Sequence, residues 1–447
     1  MLDLIHAFNL LLSVAVTAAF AYQGAFMLVG FLNRRRAEQY DAPPARELRR
    51  YAALIAARNE EAVIAELIES LHAQDYPVDK LDIFVVADNC TDATAAVARQ
   101  AGAQVFERFD TARVGKGYAL DFLFCRLQEA GLEQDYAGYF VFDADNLVDR
   151  AFVRRMNDTA CSGDFAAVTC YRNSKNYGAN WISAGYSLWF LREARFLNFP
   201  RMLLGTSCTV SGTGFLISAD VIRENGGWPF HLLTEDLQFS ADCAADGKRI
   251  GYCDKAVLYD EQPTTFRQSW DQRLRWTKGF YQVAWRYAPN LIRGVGRGGR
   301  KGLSCYDVLM IVAPGALLTV SLLLVNLLAA VVCLTQPGEL AGAVLRAELL
   351  VLATNLATGY CGFSALGLIT VLCEWNRIRA TRAQKLGYVF TFPLFMMTYI
   401  PLAVAALRRK VEWKPIAHHS ARRGAAPVCA PRRSLGALAV GKIVKNF

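Results

Sequence analysis

The chain is 447 residues long, 53% hydrophobic, and carries a net charge of +9. That length would suit two or three soluble domains, but the apolar residues are gathered into long charge-free runs, which excludes a simple soluble protein. The positive charge lies beside those runs, at residues 34–36, 293–301, 377–385 and from 408 onward. This suits anionic lipid headgroups, and without a recognition motif it argues against a nucleic-acid partner.

Residues 4–32 contain no Asp, Glu, Lys or Arg, and neither do 308–334, 349–373 or 386–407. Each run exceeds the ~18 apolar residues that mark a bilayer-spanning helix. Four spans and a place in the cell membrane are therefore expected. The first run follows Asp3 with no leading Lys or Arg and is too long for a cleaved signal peptide. Arg34 to Arg36 hold its far end in the cytoplasm, together with the stretch that follows. The expected organisation is a membrane helix over 1–36, a cytoplasmic α/β domain over 37–290, a membrane region of about three spans over 291–410, and a basic tail over 411–447. Four spans would leave the tail outside, against its positive charge. Pro393 and Pro401 allow a broken last run that would return it. Cysteines 90, 125, 161, 170, 208, 243 and 253 show no Cys-x-x-Cys spacing and read as reduced packing residues.

Inside the domain, Asp41-Ala42-Pro43-Pro44 marks a linker. A strand over 51–57 leads to a helix over 60–74 with Ile64, Leu67, Ile68 and Leu71 on its apolar face. A second strand over 81–87 ends at Asp88-Asn89-Cys90-Thr91-Asp92, where Thr91 or Asp92 can cap the next helix. A third strand over 104–107 leads to Gly115-Lys116-Gly117 and another helix. The apolar strand over 138–142 then ends abruptly in Asp143-Ala144-Asp145. Strands alternating with helices predict a right-handed, mostly parallel sheet. Such sheets bind ligands beyond the carboxyl ends of their strands. Asp88 and Asp143 should therefore share a crevice mouth, where Asp143 and Asp145 can hold a hard divalent cation that also binds diphosphate oxygens. Lys116 either approaches an anion there or is an ordinary surface lysine. Neither a Gly-x-x-x-x-Gly-Lys-Ser/Thr nor a Gly-x-Gly-x-x-Gly occurs in this region, against an ATPase or a dinucleotide enzyme.

Further on, Ser211-Gly212-Thr213-Gly214 lies in a strand-like run over 208–218 and would let a substrate approach the backbone. Thr234-Glu235-Asp236 reads as a helix start, with Thr234 as cap and the acids favoured by the dipole. Its sharper reading makes Asp236 a general base. A basic, aromatic helix over 264–287 places Gln272, Arg275 and Trp276 on one face. Its arginine can hold a phosphate and its tryptophan can stack on a sugar. The same helix, with Trp270 and Trp285, also suits a membrane surface.

In this order, Asp88, Asp143-Ala144-Asp145, Thr234-Glu235-Asp236 and Gln272-Arg273-Leu274-Arg275-Trp276 resemble the family 2 glycosyltransferases. The likeness is to the membrane-embedded group with cellulose, chitin, hyaluronan and poly-N-acetylglucosamine synthases, and covers about residues 51–287. It implies a GT-A fold flanked by membrane helices and inverting transfer from a nucleotide sugar, a UDP-sugar by analogy, to a saccharide or a lipid. It implies Asn59, Glu60, Asp88 and Lys116 on the uridine and ribose side, and Asp143 and Asp145 at the diphosphate and its Mg2+ or Mn2+. Asp236, with Glu235 beside it, would deprotonate the acceptor. Gln272 and Arg275 would lie near the pyrophosphate, and Trp276, Gly212 and Thr213 near the acceptor. Two departures stand out. Ala56-Ala57-Arg58-Asn59-Glu60 lacks the Pro and Tyr frequent in relatives, and the 211–214 run lacks the Cys-Gly and Arg-Arg typical of cellulose synthases. Extension of a polysaccharide and transfer of one sugar to a lipid both stay open.

Overall fold

A computed structural model describes residues 2–39, 41–313, 315–334, 339–409 and 411. Eight strands form one sheet: β1 Tyr51–Ala57, β2 Leu81–Asp88, β3 Gln104–Arg108, β4 Gly138–Asp143, β5 Leu147–Val148, β6 Ala167–Ser174, β7 Phe215–Ser218 and β8 Ile250–Asp260. Their order is β3-β2-β1-β4-β7-β6-β8-β5. The β3-β2-β1-β4 half is parallel, as expected. Beyond it the sheet is mixed, because β7 runs antiparallel to both β4 and β6, and β5 antiparallel to β8.

The strands read as continuous apolar runs because both faces of the sheet are covered. In β1 the alternation sends Ala52 and Leu54 into one core, and Tyr51, Ala53, Ile55 and Ala57 into the other. Helices Lys116–Glu129, Trp181–Glu193 and Glu235–Asp246 contribute to the first, and Ile64–His72 and Phe152–Cys161 to the second. The register pairs Ala56 with Asp143 and Asp88 with Arg108, so the parallel strands end together at one edge. There β1 and β2 give way to Asn59 (φ 58°) and Asn89 (φ 53°), a left-handed conformation that Asn tolerates.

Among the described residues, three helices are long and apolar enough to cross a membrane: Ala7–Leu32, Leu345–Cys373 and Arg382–Arg408. The run expected over 308–334, part of which lies outside the described residues, is divided between helices Gly299–Val312 and Gly315–Leu334. Val308 and Val312 pack with Leu237, Ala241, Val283 and Leu291 of the α/β domain. The start of that run therefore covers the domain instead of entering a bilayer. Asn9 and Asn326 exchange side-chain hydrogen bonds of 2.7 and 2.9 Å between the first helix and Gly315–Leu334, a polar contact that suits helices without water around them. The last run is broken at Thr398 into helices Arg382–Met397 and Tyr399–Arg408. Pro401 in the first turn of the second helix has no N–H to continue the first. The basic tail expected over 411–447 lies outside the described residues apart from Val411.

Among the described residues, two buried ionic clusters join the apolar helices to the α/β domain. Arg201 is bidentate to Asp307 at 2.6 and 2.9 Å, and Tyr22 of the first helix donates to the same carboxylate at 2.9 Å. Arg195 pairs with Glu374, while Arg377 donates to Asp254 of β8 at 2.6 Å. Tyr171 and Tyr252 donate to Glu374 and Asp254 at 2.6 and 2.9 Å.

Candidate active site

The crevice at the carboxyl edge is built from strand ends outward. Asp143 ends β4, and its carboxylate is paired with Lys116, which opens the helix Lys116–Glu129. The lysine also donates to the carbonyl of Gly212 at 2.6 Å. One cation thus spans the first carboxylate turn and the glycine loop. Gly212 has φ 79°, and a Cβ there would lie 3.7 Å from Oδ2 of Asp236. A side chain at 212 would be strained by that backbone conformation, and its Cβ would touch that carboxylate at ordinary contact distance. Lys116, Asp143, Gly212 and Asp236 are therefore brought together from four separate parts of the chain.

Asp143 and Asp145 are not equivalent. Asp143 is 36% exposed in its side chain, whereas Asp145 is 3% exposed. Asp145 accepts from the backbone N–H of Glu261 at 3.2 Å and from Asn146 at 3.3 Å. Asn146 also donates to Asp260, which is paired with Arg172. Burial pushes the Asp260 carboxyl up, and the Arg172 charge with the hydrogen bonds around it brings it below its usual range. Thr213 accepts from the backbone N–H of Asp143 at 2.9 Å, tying the glycine loop to the same turn. Among the described residues, no group of three His, Cys, Asp or Glu side chains forms a metal cage. Two carboxylates this close in sequence fit a cation that takes one or two protein carboxylates and completes its shell with phosphate oxygens and water.

Glu235 and Asp236 open the helix Glu235–Asp246. Burial, and then the charge of Asp236, push Glu235 up to about 7. Burial raises Asp236 as well, against backbone hydrogen bonding and the charges of Lys116 and Arg275, which favour its ionised form. Thr234 does not serve as the expected cap, since its side chain makes no capping hydrogen bond. Its hydroxyl is pressed against Gly279, where a Cβ would come within 2.6 Å. The close approach holds the helix Phe266–Val295 against the acidic turn.

That helix carries Gln272, Arg275 and Trp276. Oε1 of Gln272 is buried without a hydrogen-bond partner. Trp276 meets Tyr186 and Phe190 edge to face, at ring distances of 5.7 and 6.2 Å. It is thus part of an aromatic wall, while Trp285 on the same helix is 91% exposed.

On the other side of the crevice, Asp88 is 4% exposed and paired with Arg108 at 2.6 Å. Burial raises its carboxyl against that pairing. Asn59 accepts from the backbone N–H of Thr91 at 2.8 Å, and the N–H of Glu60 donates to Thr94 at 2.8 Å. These residues brace the ends of β1 and β2. The helix expected from Glu60 begins at Ile64, because Glu60 is held in this turn.

Sequence reasoning missed Asp260, Arg172, Arg108 and Arg273. Asp260 carried a usable signal, since it ends an apolar strand just as Asp143 does. Arg273 had none. It is fully buried and donates to the carbonyl of Phe395 at 3.0 Å and to Thr398 at 2.6 Å, in the break of the last apolar run.

A sequence profile described as glycosyltransferase like family 2 matches residues 49–279. The chain belongs to this family. It is 30% identical over 234 residues to a beta-monoglucosyldiacylglycerol synthase of Synechocystis, covering 51% of this chain and 47% of that one. It is 23% identical over 234 residues to a poly-beta-1,6-N-acetyl-D-glucosamine synthase of Staphylococcus epidermidis, covering 52% and 55%. The chain thus spans about half the length of the curated relatives it matches. A mannosyltransferase from Pyrobaculum calidifontis, solved with GDP-Man and Mn2+, superposes with a TM-score of 0.53 at 17% identity, covering 89% of this chain and 99% of that one. The α/β domain has the GT-A architecture.

Proposed function

We propose that this family 2 glycosyltransferase moves a sugar from a nucleotide diphosphate carrier, a UDP-sugar, to a hydroxyl acceptor at the membrane face, and so extends a polysaccharide that passes through the membrane. The observation that carries the reading is Lys116, bonded at once to Asp143 and to the Gly212 carbonyl beside Asp236. A leaving diphosphate and an attacking hydroxyl can both be served across that short gap. Residues 37–290 act as the catalytic unit on the cytoplasmic side, and the apolar helices anchor it in the cell membrane.

Asn59, Glu60 and Asp88 frame the nucleoside end, and Lys116, Gln272 and Arg275 supply donors to the diphosphate. Asp143 and Asp145 would hold a divalent cation, Mg2+ or Mn2+, and such an ion would supply charge neutralisation to the leaving group. Asp236 takes the proton from the acceptor hydroxyl, and Glu235, whose carboxyl is pushed up by burial and by the charge of Asp236, keeps its proton to higher pH so that Asp236 carries the charge of the pair. Attack from the face opposite the diphosphate inverts the anomeric carbon in one step. Trp276, backed by Tyr186 and Phe190, offers the acceptor a flat apolar surface beside Gly212 and Thr213.

A second reading, transfer of a single sugar to a membrane lipid, is favoured by the 30% identity to a glucolipid synthase. Purified membranes incubated with a panel of labelled UDP-sugars separate the two. A polymer of many sugars is expected, and one sugar on an extractable lipid would replace the polymer reading. No transfer from any UDP-sugar would remove the nucleotide assignment. Trp276→Ala should leave donor hydrolysis in place and slow transfer to the acceptor by ~10-fold, about 1.4 kcal/mol of transition-state stabilisation.

A further inference from the structure

We infer that the pocket between the end of the first membrane helix and the turn after Leu345–Cys373 is a discrete site for the headgroup of an anionic phospholipid. The inference rests on the membrane placement proposed above. The pocket has a volume of about 300 Å³ and is lined by Phe31, Arg34, Leu372, Cys373, Trp375 and Asn376. Two candidate spans end at it, one at Leu32 and the other at Cys373. Its depth is therefore the level at which hydrocarbon gives way to headgroups.

Its two sides differ in the way such a ligand requires. Toward the apolar helices, Phe31, Leu32 and Leu372 are exposed, the last two by 67% and 60%. Acyl chains can lie along them. The polar side chains among the lining residues are Arg34 and Asn376. Arg34 lies 4.6 Å over the Phe31 ring and donates to the Phe31 carbonyl at 3.3 Å. Among the described residues, no carboxylate forms an ion pair with Arg34. The acid of the adjoining turn, Glu374, points inward, is 1% exposed and is taken up by Arg195 and Tyr171.

The wall is also preformed. Lys385 lies 4.7 Å over the Trp375 ring and donates to the Trp375 carbonyl at 2.7 Å. Trp375 is thus held in place before a ligand arrives. A phosphodiester takes charge-assisted hydrogen bonds from an unpaired arginine, and a tryptophan at this depth suits the interfacial layer. Arg35 and Arg36 follow Arg34 and add to the positive charge at this level. That favours a lipid with net negative charge over a zwitterionic one.

Binding to the full chain in neutral detergent, read by native mass spectrometry, tests the site. The wild type should retain one dioleoylphosphatidylglycerol at least about tenfold more tightly than dioleoylphosphatidylcholine. Arg34→Glu should weaken that retention about tenfold or more, with Arg34→Gln as the milder variant should the first not fold. Arg35→Glu changes the charge equally but lies outside the lining, and should cost less than about threefold. Equal retention of the two lipids, or equal losses in the two charge reversals, would overturn the site. Displacement by millimolar glycerol 1-phosphate would also overturn it, since a soluble phosphate would then suffice. Release of the wild-type chain from membranes by alkaline carbonate would instead sink the membrane placement itself.

Discussion

Two groups of charged residues, one around Asp254 of β8 and one in the crevice, are built to opposite rules. At the junction with the apolar helices, Arg195 and Arg377 face Asp254 and Glu374, two cations against two carboxylates. Both carboxylates are 1% exposed, and two tyrosine hydroxyls take further lone pairs. In the crevice, Asp143, Glu235 and Asp236 converge on Lys116 and Arg275, and Asp143 remains 36% exposed. Glu235 is raised to about 7 there by burial and then by the charge of Asp236, against the opposing charges of Lys116 and Arg275. Burial is common to both groups, so burial alone does not mark chemistry. An incomplete balance of charge that opens to solvent does.

The contrast can be broken experimentally, and the largest effect belongs to the crevice. Chelation with EDTA should abolish transfer while leaving the melting temperature almost unchanged, and Mg2+ or Mn2+ should restore activity. Full turnover in metal-free buffer would remove the cation from Asp143 and Asp145. At the junction, Glu374→Gln leaves Arg195 without its main partner. It should destabilise the chain by about 3–5 kcal/mol, seen as a lower melting temperature in detergent, with normal activity per folded molecule. An unchanged melting temperature would show that this cluster is not holding the helices to the sheet.

Asp236→Asn should slow transfer at least ~10²-fold, roughly 2.7 kcal/mol, with near-native UDP affinity. Collapse of UDP affinity would assign Asp236 to the donor site or to the fold. The smallest effect is a pH dependence. Because burial beside Asp236 raises Glu235, the folded chain keeps that proton to higher pH than the unfolded chain does. Its contribution to stability is complete below about pH 4.5 and is lost as pH rises through about 7. Glu235→Gln should reduce the fall in stability between pH 5 and pH 8 by an amount on the order of 1 kcal/mol. Parallel melting profiles for the two proteins would show that Glu235 is not buried beside a charge.

The parallel half of the sheet was legible because its strands are buried on both sides and end in residues that cannot continue them. Asp88, Asp143 and Lys116 could be placed at its edge for the same reason. The mixed half was not legible. β7 is four residues long and takes its direction from β4 and from β6, which is separated from it by helices Trp181–Glu193 and Phe199–Leu204. The unequal burial of Asp143 and Asp145 follows from Asp260, more than 100 residues away, so spacing could not reveal it. Thr234 looks like a cap in any local reading and loses that role to the approach of Gly279. The run over 308–334 looks uniform in hydropathy, and its division reflects the apolar surface that Leu237 and Val283 offer to Val308.

The position of Arg273 bears on how the protein is assembled. At the interruption at Thr398 the Phe395 carbonyl accepts from the Thr398 hydroxyl at 2.6 Å and from Arg273 of the α/β domain at 3.0 Å. A lone segment could form only the first of these bonds, because the second donor lies 122 residues earlier in the chain. The geometry of the break at Thr398 is therefore complete only once Arg273 is in place, so a change that loosens the packing of the α/β domain should loosen this last apolar segment as well.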